Sequence, residues 1–238
     1  MGDNCHMNIA ESLKRDVTVV VMSDTHGRHR QIEVPEGDLL IHCGDITGHG
    51  TAAEVTEFNE WLGSLPHAAK VIIAGNHDEA FEYEPERARA LITNATYLED
   101  SEVTLFGLRI YGSPWQPEKQ WHFHLPRGEA LRAKWALIPA GIDILVTHSP
   151  PTDVGNLDLD FSGRHSGCAD LKAAVDRLQP RLHLFGHIHE GYGILRGPNT
   201  IFANASVLDR SYQVANRCVV LRIPAKRQQD GLREHADD

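Results

Sequence analysis

Five short apolar runs in this sequence end on residues able to ligate a metal or carry a proton. VTVVVM leads into Ser23-Asp24-Thr25-His26, LLIHC into Gly44-Asp45, and VIIA into Gly75-Asn76-His77-Asp78. DILV leads into Thr147-His148, and LHLF into Gly186-His187-Ile188-His189. Taken singly, an Asp, Asn or His after a strand is an ordinary cap or turn residue. Gly186-His187-Ile188-His189 says more, because side chains two apart on extended backbone face the same side. Ligands of open α/β sheets collect at the carboxyl ends of strands, so the five ends are expected to converge on one site.

The residue types specify a chemistry. Carboxylates, a carboxamide oxygen and imidazoles, with no thiolate, suit Mn, Fe or Zn better than Ca or Cu(I). Seven such groups exceed the need of one ion that keeps an open position. They suit two ions sharing a carboxylate, and a metal pair roughly 3.5–4 Å apart is a device for displacement at phosphate esters. His makes up 15 of the 238 residues, with no consecutive run that would mark a tag.

The elements that must position these groups can be read from periodicity. Buried strands are expected at Val17 to Met22, Leu39 to Cys43, Val71 to Ala74, Ile142 to Val146 and Leu182 to Phe185. Helices are expected at Thr51 to Leu65, with Thr51 and Glu54 as a capping box, at Gly128 to Leu137, and at Gly167 to Leu178 before Pro180. A hairpin is expected around Gly107 (Val103 to Tyr111), and short antiparallel strands from Tyr192 to Ile223. Strands alternating with helices indicate an α/β fold with mixed sheets. One domain is expected over residues 16–224, between a polar tail (1–15) and a charged, disordered tail (225–238).

Composition narrows the partners. Lys+Arg 23 against Asp+Glu 33 gives a net charge of −10, which disfavours nucleic-acid backbones. No apolar stretch reaches 18 residues, so no membrane span is expected, and the first ten residues lack the apolar core of a secretory signal. Cys5, Cys43, Cys168 and Cys218 form no CxxC pair. They read as free thiols in a reducing compartment, the cytoplasm, with Cys43 a small core residue. A homo-oligomer is left open.

The ordered set D-x-H, G-D, G-N-H-D, H and G-H-x-H resembles the calcineurin-like metallophosphoesterase superfamily, from Val17 to about Ile223. Finer features are similar to its metallophosphoesterase-domain-containing branch: Gly112-Ser113-Pro114-Trp115-Gln116-Pro117, Leu125-Pro126-Arg127-Gly128, Gly141-Ile142-Asp143-Ile144-Leu145, and Gly186 to Gly193 with Asn204-Ala205-Ser206. The resemblance implies a four-layer α/β/β/α sandwich of two mixed β-sheets flanked by helices. It implies two divalent ions (Mn, Fe, Zn, Ni or Co), one held by Asp24, His26 and His189, the other by Asn76, His148 and His187. Asp45 would bridge them together with a water or hydroxide that attacks phosphorus. His77 would serve the leaving group and bind no metal. The protein phosphatases of the superfamily continue Gly-Asp with an Asp-Arg pair, whereas Ile46-Thr47-Gly48-His49 follows here. That counts against phosphatase action on proteins and leaves the group that orients His77 unassigned.

Candidate substrate contacts are an aromatic stretch (Trp115, Trp121, His122, Phe123, His124) able to stack a base, the groups Arg28, His29, Arg164 and His165 for phosphate oxygens, and Tyr192 as pocket lining. His42, His67 and His183 read as bystanders. The expected activity is hydrolysis of a small phosphodiester, nucleotide-like, a cyclic nucleotide for example. The alternatives are a nuclease or phosphomonoesterase of the same superfamily, and a non-catalytic protein-binding scaffold.

Overall fold

Two β-sheets pack face to face, and the carboxyl ends of their central strands meet along one edge. The computed structural model describes residues 16–119 and 121–225. The two tail assignments, residue 225 apart, lie outside the described residues. The first sheet runs β11-β1-β2-β3-β4 and the second β5-β6-β7-β8-β10-β9. In the first, β1 (Asp16–Met22), β2 (Leu39–His42), β3 (Ala69–Ile72) and β4 (Thr96–Tyr97) are parallel, with β11 (Val219–Pro224) antiparallel at the edge. In the second, β6 (Leu108–Ser113), β7 (Ile144–Thr147), β8 (Leu182–Phe185) and β10 (Ile201–Asn204) are parallel. Its edges, β5 (Ser101–Leu105) and β9 (Gly193–Arg196), are antiparallel.

Alternation along the strands builds the layers. Val19 and Val21 of β1 face Ile144, Val146 and Leu184 of the second sheet in one apolar cluster. Val20 and Met22 point the other way, onto Phe58 and Leu62 of helix α1 (Ala52–Ser64). The outer face of the second sheet, with Leu145 and Phe185, is covered by Leu131 and Trp135 of α4 (Glu129–Ala136) and Leu171 and Val175 of α5 (Ala169–Leu178). The result is the expected α/β/β/α sandwich of mixed sheets. Among the described residues no helix is long and apolar enough to cross a membrane.

Helix α1 starts on the expected capping box: Glu54 N–H donates to Thr51 Oγ1 and Thr51 N–H to Glu54 Oε2. Helix α5 begins two residues after the expected Gly167. Cys168 caps it by accepting from Leu171 N–H, and Gln179 turns left-handed just before Pro180. The hairpin around Gly107 forms as β5 and β6.

The last stretch differs from expectation. It is no single antiparallel meander: β10 adds to β8 in parallel, and β11 crosses back to pair with β1 in the first sheet. Two short helices, α2 (Glu79–Tyr83) and α3 (Pro85–Leu91), and the two-residue β4 carried too few apolar positions to show a period.

Candidate metal centre

Strands β1, β2 and β3 deliver their terminal loops to the shared edge from one sheet, and β7 and β8 from the other. The chain must turn sharply there. Asp24 (φ 58°), His26 (φ 41°), Asp45 (φ 55°) and His187 (φ 69°) all occupy the left-handed region, which costs non-glycine residues and persists only where surroundings over-determine it. Glycine supplies the space. Gly44 has φ 99°, and a Cβ on it would lie 2.7 Å from His148 Nδ1. A Cβ on Gly186 would collide with the Asp24 carboxylate and the Ser23 hydroxyl.

Eight side chains named from the sequence come together. Asp45 stands in the middle, with Oδ2 3.5 Å from His26 Nε2 and Oδ1 3.5 Å from His148 Nε2. His148 Nε2 is also 2.8 Å from Asn76 Oδ1. Asp24 Oδ1 lies 3.7 Å from His189 Nε2. Potential ligand atoms of Asp24, His26 and His189 fall within 4.8 Å of one another, as do those of Asp24, Asp45 and His148, and those of His26, Asp45 and His77. His187 joins none of these three groups; its ring packs 5.0 Å from that of His148. His187 and His189 do not share a face of extended backbone as expected. The left-handed turn at His187 sends the first toward His148 and the second toward Asp24.

These residues fit a divalent cation. Both ring nitrogens of His26 are buried without a hydrogen-bond partner among the described residues, which is unfavourable unless another group satisfies them. His148 Nδ1–H donates to the Cys43 carbonyl and His189 Nδ1–H to the Asp209 carbonyl, each at 2.9 Å. That leaves Nε2 of each ring facing the carboxylates, the outer-sphere arrangement usual for metal-binding imidazoles.

Three polar groups that the sequence reading did not assign hold the loops in register. Asp78 is fully buried and accepts from the backbone N–H of Ile46 (3.1 Å), Thr47 (2.9 Å) and Gly75 (2.8 Å), stitching the Asp45 loop to the Asn76 loop. Ser206 Oγ donates to Asp24 Oδ2 at 2.6 Å. His42, read as a bystander, accepts from Gly44 N–H and lies 3.0 Å from Thr25 Oγ1, so it joins the first two ligand loops. The only sequence signal was adjacency: Asp78 closes the G-N-H-D run and Ser206 the Asn204-Ala205-Ser206 run.

Burial raises the cost of charge here, and the cluster answers it with opposite charges. Burial alone would raise both Asp24 and Asp45. The His189 hydrogen bond and charge hold Asp24 well below the usual carboxylate range, and His148 does the same for Asp45. Burial alone would lower the histidines; it takes His26 to about 4 and His187 to about 3. Asp45 overrides burial at His148 and Asp24 does so at His189, lifting each to about 9. Asp78 is pushed up to about 7, by burial first and then by the Asp45 charge.

The remaining nominated residues are engaged elsewhere or at the margin. Trp115 donates Nε1–H to Asp100 and lies under Lys134. The Tyr192 hydroxyl donates to the Arg217 carbonyl. Arg164 pairs with Asp160 in its own loop, and His165 with Asp158. His29 is buried against Phe58 and Trp61. Arg28 is half-buried two residues beyond His26. Among the described residues, the aromatic rings that touch the cluster are Trp121, 4.7 Å from His77, and Tyr212, 4.9 Å from His26.

The sequence profile described as calcineurin-like phosphoesterase matches residues 17–191. The metallophosphoesterase domain-containing protein 1 of Homo sapiens is 47% identical over 234 residues, covering 87% of this chain and 71% of that protein. A probable cyclic nucleotide phosphodiesterase of Synechococcus is 29% identical over 68% of this chain and 62% of its own length. Among solved structures, the phosphopantetheinyl hydrolase of Mycobacterium tuberculosis superposes with a TM-score of 0.58 at 15% identity, covering 84% of this chain and 92% of that one.

The histidine shifts give a prediction for metal loading. In metal-stripped protein at neutral pH, His148 and His189 are protonated while His26 and His187 are neutral. A histidine whose pKa is raised above 6.5 stabilises the metal-free fold below pH 6.5, and this contribution is lost as pH rises through about 9. A metal needs the neutral ring, so loading at pH 7 releases about two protons per chain and tightens as pH rises. Titration calorimetry in buffers of different ionisation enthalpy measures the count; release of no protons would contradict the assignment.

Proposed function

Because the chain belongs to the calcineurin-like phosphoesterase family, a family of phosphoester hydrolases, we propose that it hydrolyses small phosphodiesters, nucleotide-like ones among them, at a centre of two divalent ions. The observation that carries this reading is the grouping of imidazoles and carboxylates about the two ends of Asp45. Asp24, His26 and His189 would hold one ion, Asn76, His148 and His187 the other, and Asp45 both. When bound, such ions supply Lewis acidity to an attacking water and to the phosphoryl oxygens.

His77 is assigned to the leaving oxygen. Its backbone is fixed on both sides, the N–H donating to Asp45 Oδ1 (2.8 Å) and the carbonyl 2.9 Å from Thr47 Oγ1. Its ring stands edge-on to His26 at 4.6 Å, at the rim of the cluster. A protonated imidazole there covers charge developing on the departing alkoxide, a role worth roughly 10²–10⁴-fold in rate. The proximity of His77 to His26 and Asp45 also suits a ligand role, and mutation separates the two.

A preference for diesters rests on charge. A monoester dianion carries an additional anionic oxygen, for which a bidentate guanidinium is the usual protein partner. No Arg follows Gly44-Asp45, the Ile46 and Thr47 amides are committed to Asp78, and Arg164 is tied to Asp160. The name of the Synechococcus relative points the same way. The free thiols of Cys43, Cys168 and Cys218 support a reducing, cytoplasmic setting. A net charge of −10 favours small esters over polynucleotides.

Two measurements follow. Replacing His77 by Ala lowers kcat by roughly 10²–10⁴-fold for esters with poor leaving groups and much less for 4-nitrophenyl esters, with metal content unchanged; loss of metal instead would make His77 a ligand. At equal metal loading, kcat/KM for bis(4-nitrophenyl) phosphate exceeds that for 4-nitrophenyl phosphate, and a cyclic nucleotide exceeds its monophosphate. The reverse order in both pairs would reject the diester preference.

A further inference from the structure

Two large aromatic side chains stand beside the ligand cluster, and nothing in the hydrolytic mechanism uses them. Trp121 is 48% and Tyr212 42% exposed. Isolated apolar residues on a surface are ordinary, but these two are in ring contact with the site. Trp121 lies 4.7 Å from the His77 ring with the planes tilted by 35°. Tyr212 lies 4.9 Å from His26, 5.4 Å from His189 and 6.4 Å from His77.

Both rings are held in place by contacts that also fix the site. His122, next to Trp121, is 3.2 Å from Glu79 and 2.9 Å from Glu82, and Phe123 N–H donates to Glu82. Those two carboxylates lie on α2, which begins two residues after His77, so one short helix sets Trp121 and His77 together. Tyr212 has φ 56° in a turn whose Asp209 carboxylate accepts from the N–H of Ser211 and Gln213. The Asp209 carbonyl accepts from Tyr212 N–H and from His189 Nδ1–H. Arg210 lies over the Phe161 ring at 5.2 Å, which ties this turn to the neighbouring loop. A bulky residue persists in the left-handed region only where its surroundings demand it.

We infer that Trp121 and Tyr212 are the specificity surface of the site and stack on a planar aromatic ring carried by the phosphoester. Trp121 serves the arm beside His77, and Tyr212 the arm beside His26 and His189. The inference rests on the hydrolase reading, which places the phosphate at Asp45 between them. Tryptophan and tyrosine suit the task because two torsions are all that binding must freeze. Stacking accepts any π-face, whether nucleobase or simple aryl group.

The test measures binding to metal-loaded protein of two pairs that differ in the ring: adenosine 5′-monophosphate against ribose 5-phosphate, and phenyl phosphate against methyl phosphate. In the wild type the ring-bearing member binds tighter by roughly fivefold to a hundredfold, the value of one stacked ring. Trp121→Ala and Tyr212→Ala each lower that ratio, and the double variant brings it toward one. Trp121→Phe keeps most of the ratio while abolishing the quenching of tryptophan fluorescence by ligand, which separates stacking from misfolding. A ratio that falls in both pairs supports an aryl surface, and one that falls in the adenosine pair alone supports the same surface selective for a nucleobase. A ratio near one in the wild type, or one unchanged in the double variant, overturns the inference. So does an equal loss of turnover for ring-bearing and ring-free esters at constant ratio, which would make Trp121 a support for His77 only. Absence of turnover of bis(4-nitrophenyl) phosphate by the metal-loaded protein would instead reject the hydrolase reading itself, and this surface with it; failure of all four monoesters to bind while that diester is turned over overturns the inference alone.

Discussion

The carboxylate of Asp45 stands between His26, carried by the first sheet, and His148, carried by the second, at 3.5 Å from each. It is 2% exposed. A buried carboxylate costs several kcal/mol unless opposite charges and hydrogen bonds compensate it. Here His148 supplies the largest compensation, His26 adds to it, and His77 N–H donates a hydrogen bond. Asp24, itself fully buried, repeats the arrangement with His189, Ser206 and the His187 N–H. Two buried acids held this way make sense at a place where cations are to be bound, because the same geometry that compensates the acids presents imidazole nitrogens beside them.

Everything around Asp45 serves to keep that contact in register. Gly44 makes room for His148, and four candidate ligands accept left-handed backbone. Asp78 and His42 then cross-link the loops after β1, β2 and β3 through backbone amides and the Thr25 hydroxyl. These loops meet at the edge where the two sheets come together, so a strained turn in one is held by hydrogen bonds from the next. That preorganisation is what a site dependent on ligand geometry requires.

The sandwich and the convergence of the candidate ligands were legible because buried parallel strands are written as short apolar runs and the residue after each run is chemically conspicuous. Asp24, Asp45 and His148 needed nothing more. Longer-range choices were not legible. Nothing local to Ile201–Asn204 says that it adds to β8 in parallel while Val219–Pro224 returns to β1. Trp115 and Tyr192 carry the right chemistry in the right neighbourhood, but Asp100 and the Arg217 carbonyl claim their polar atoms. Trp121 and Tyr212 stand at the site instead, and that is decided by the latch of His122 on α2 and by the turn at Asp209. Asp78 was invisible as a support because three of its donors are backbone amides, which sequence does not distinguish, and the fourth is the hydroxyl of Thr47, 31 residues away.

Anomalous diffraction from crystals of the chain loaded with Mn or Zn tests the two-ion centre most directly. A shared Asp45 predicts two peaks roughly 3.5–4 Å apart, one on the His26 side of its carboxylate and one on the His148 side. A single peak at full loading, or two peaks too far apart for one carboxylate to touch both, would contradict it.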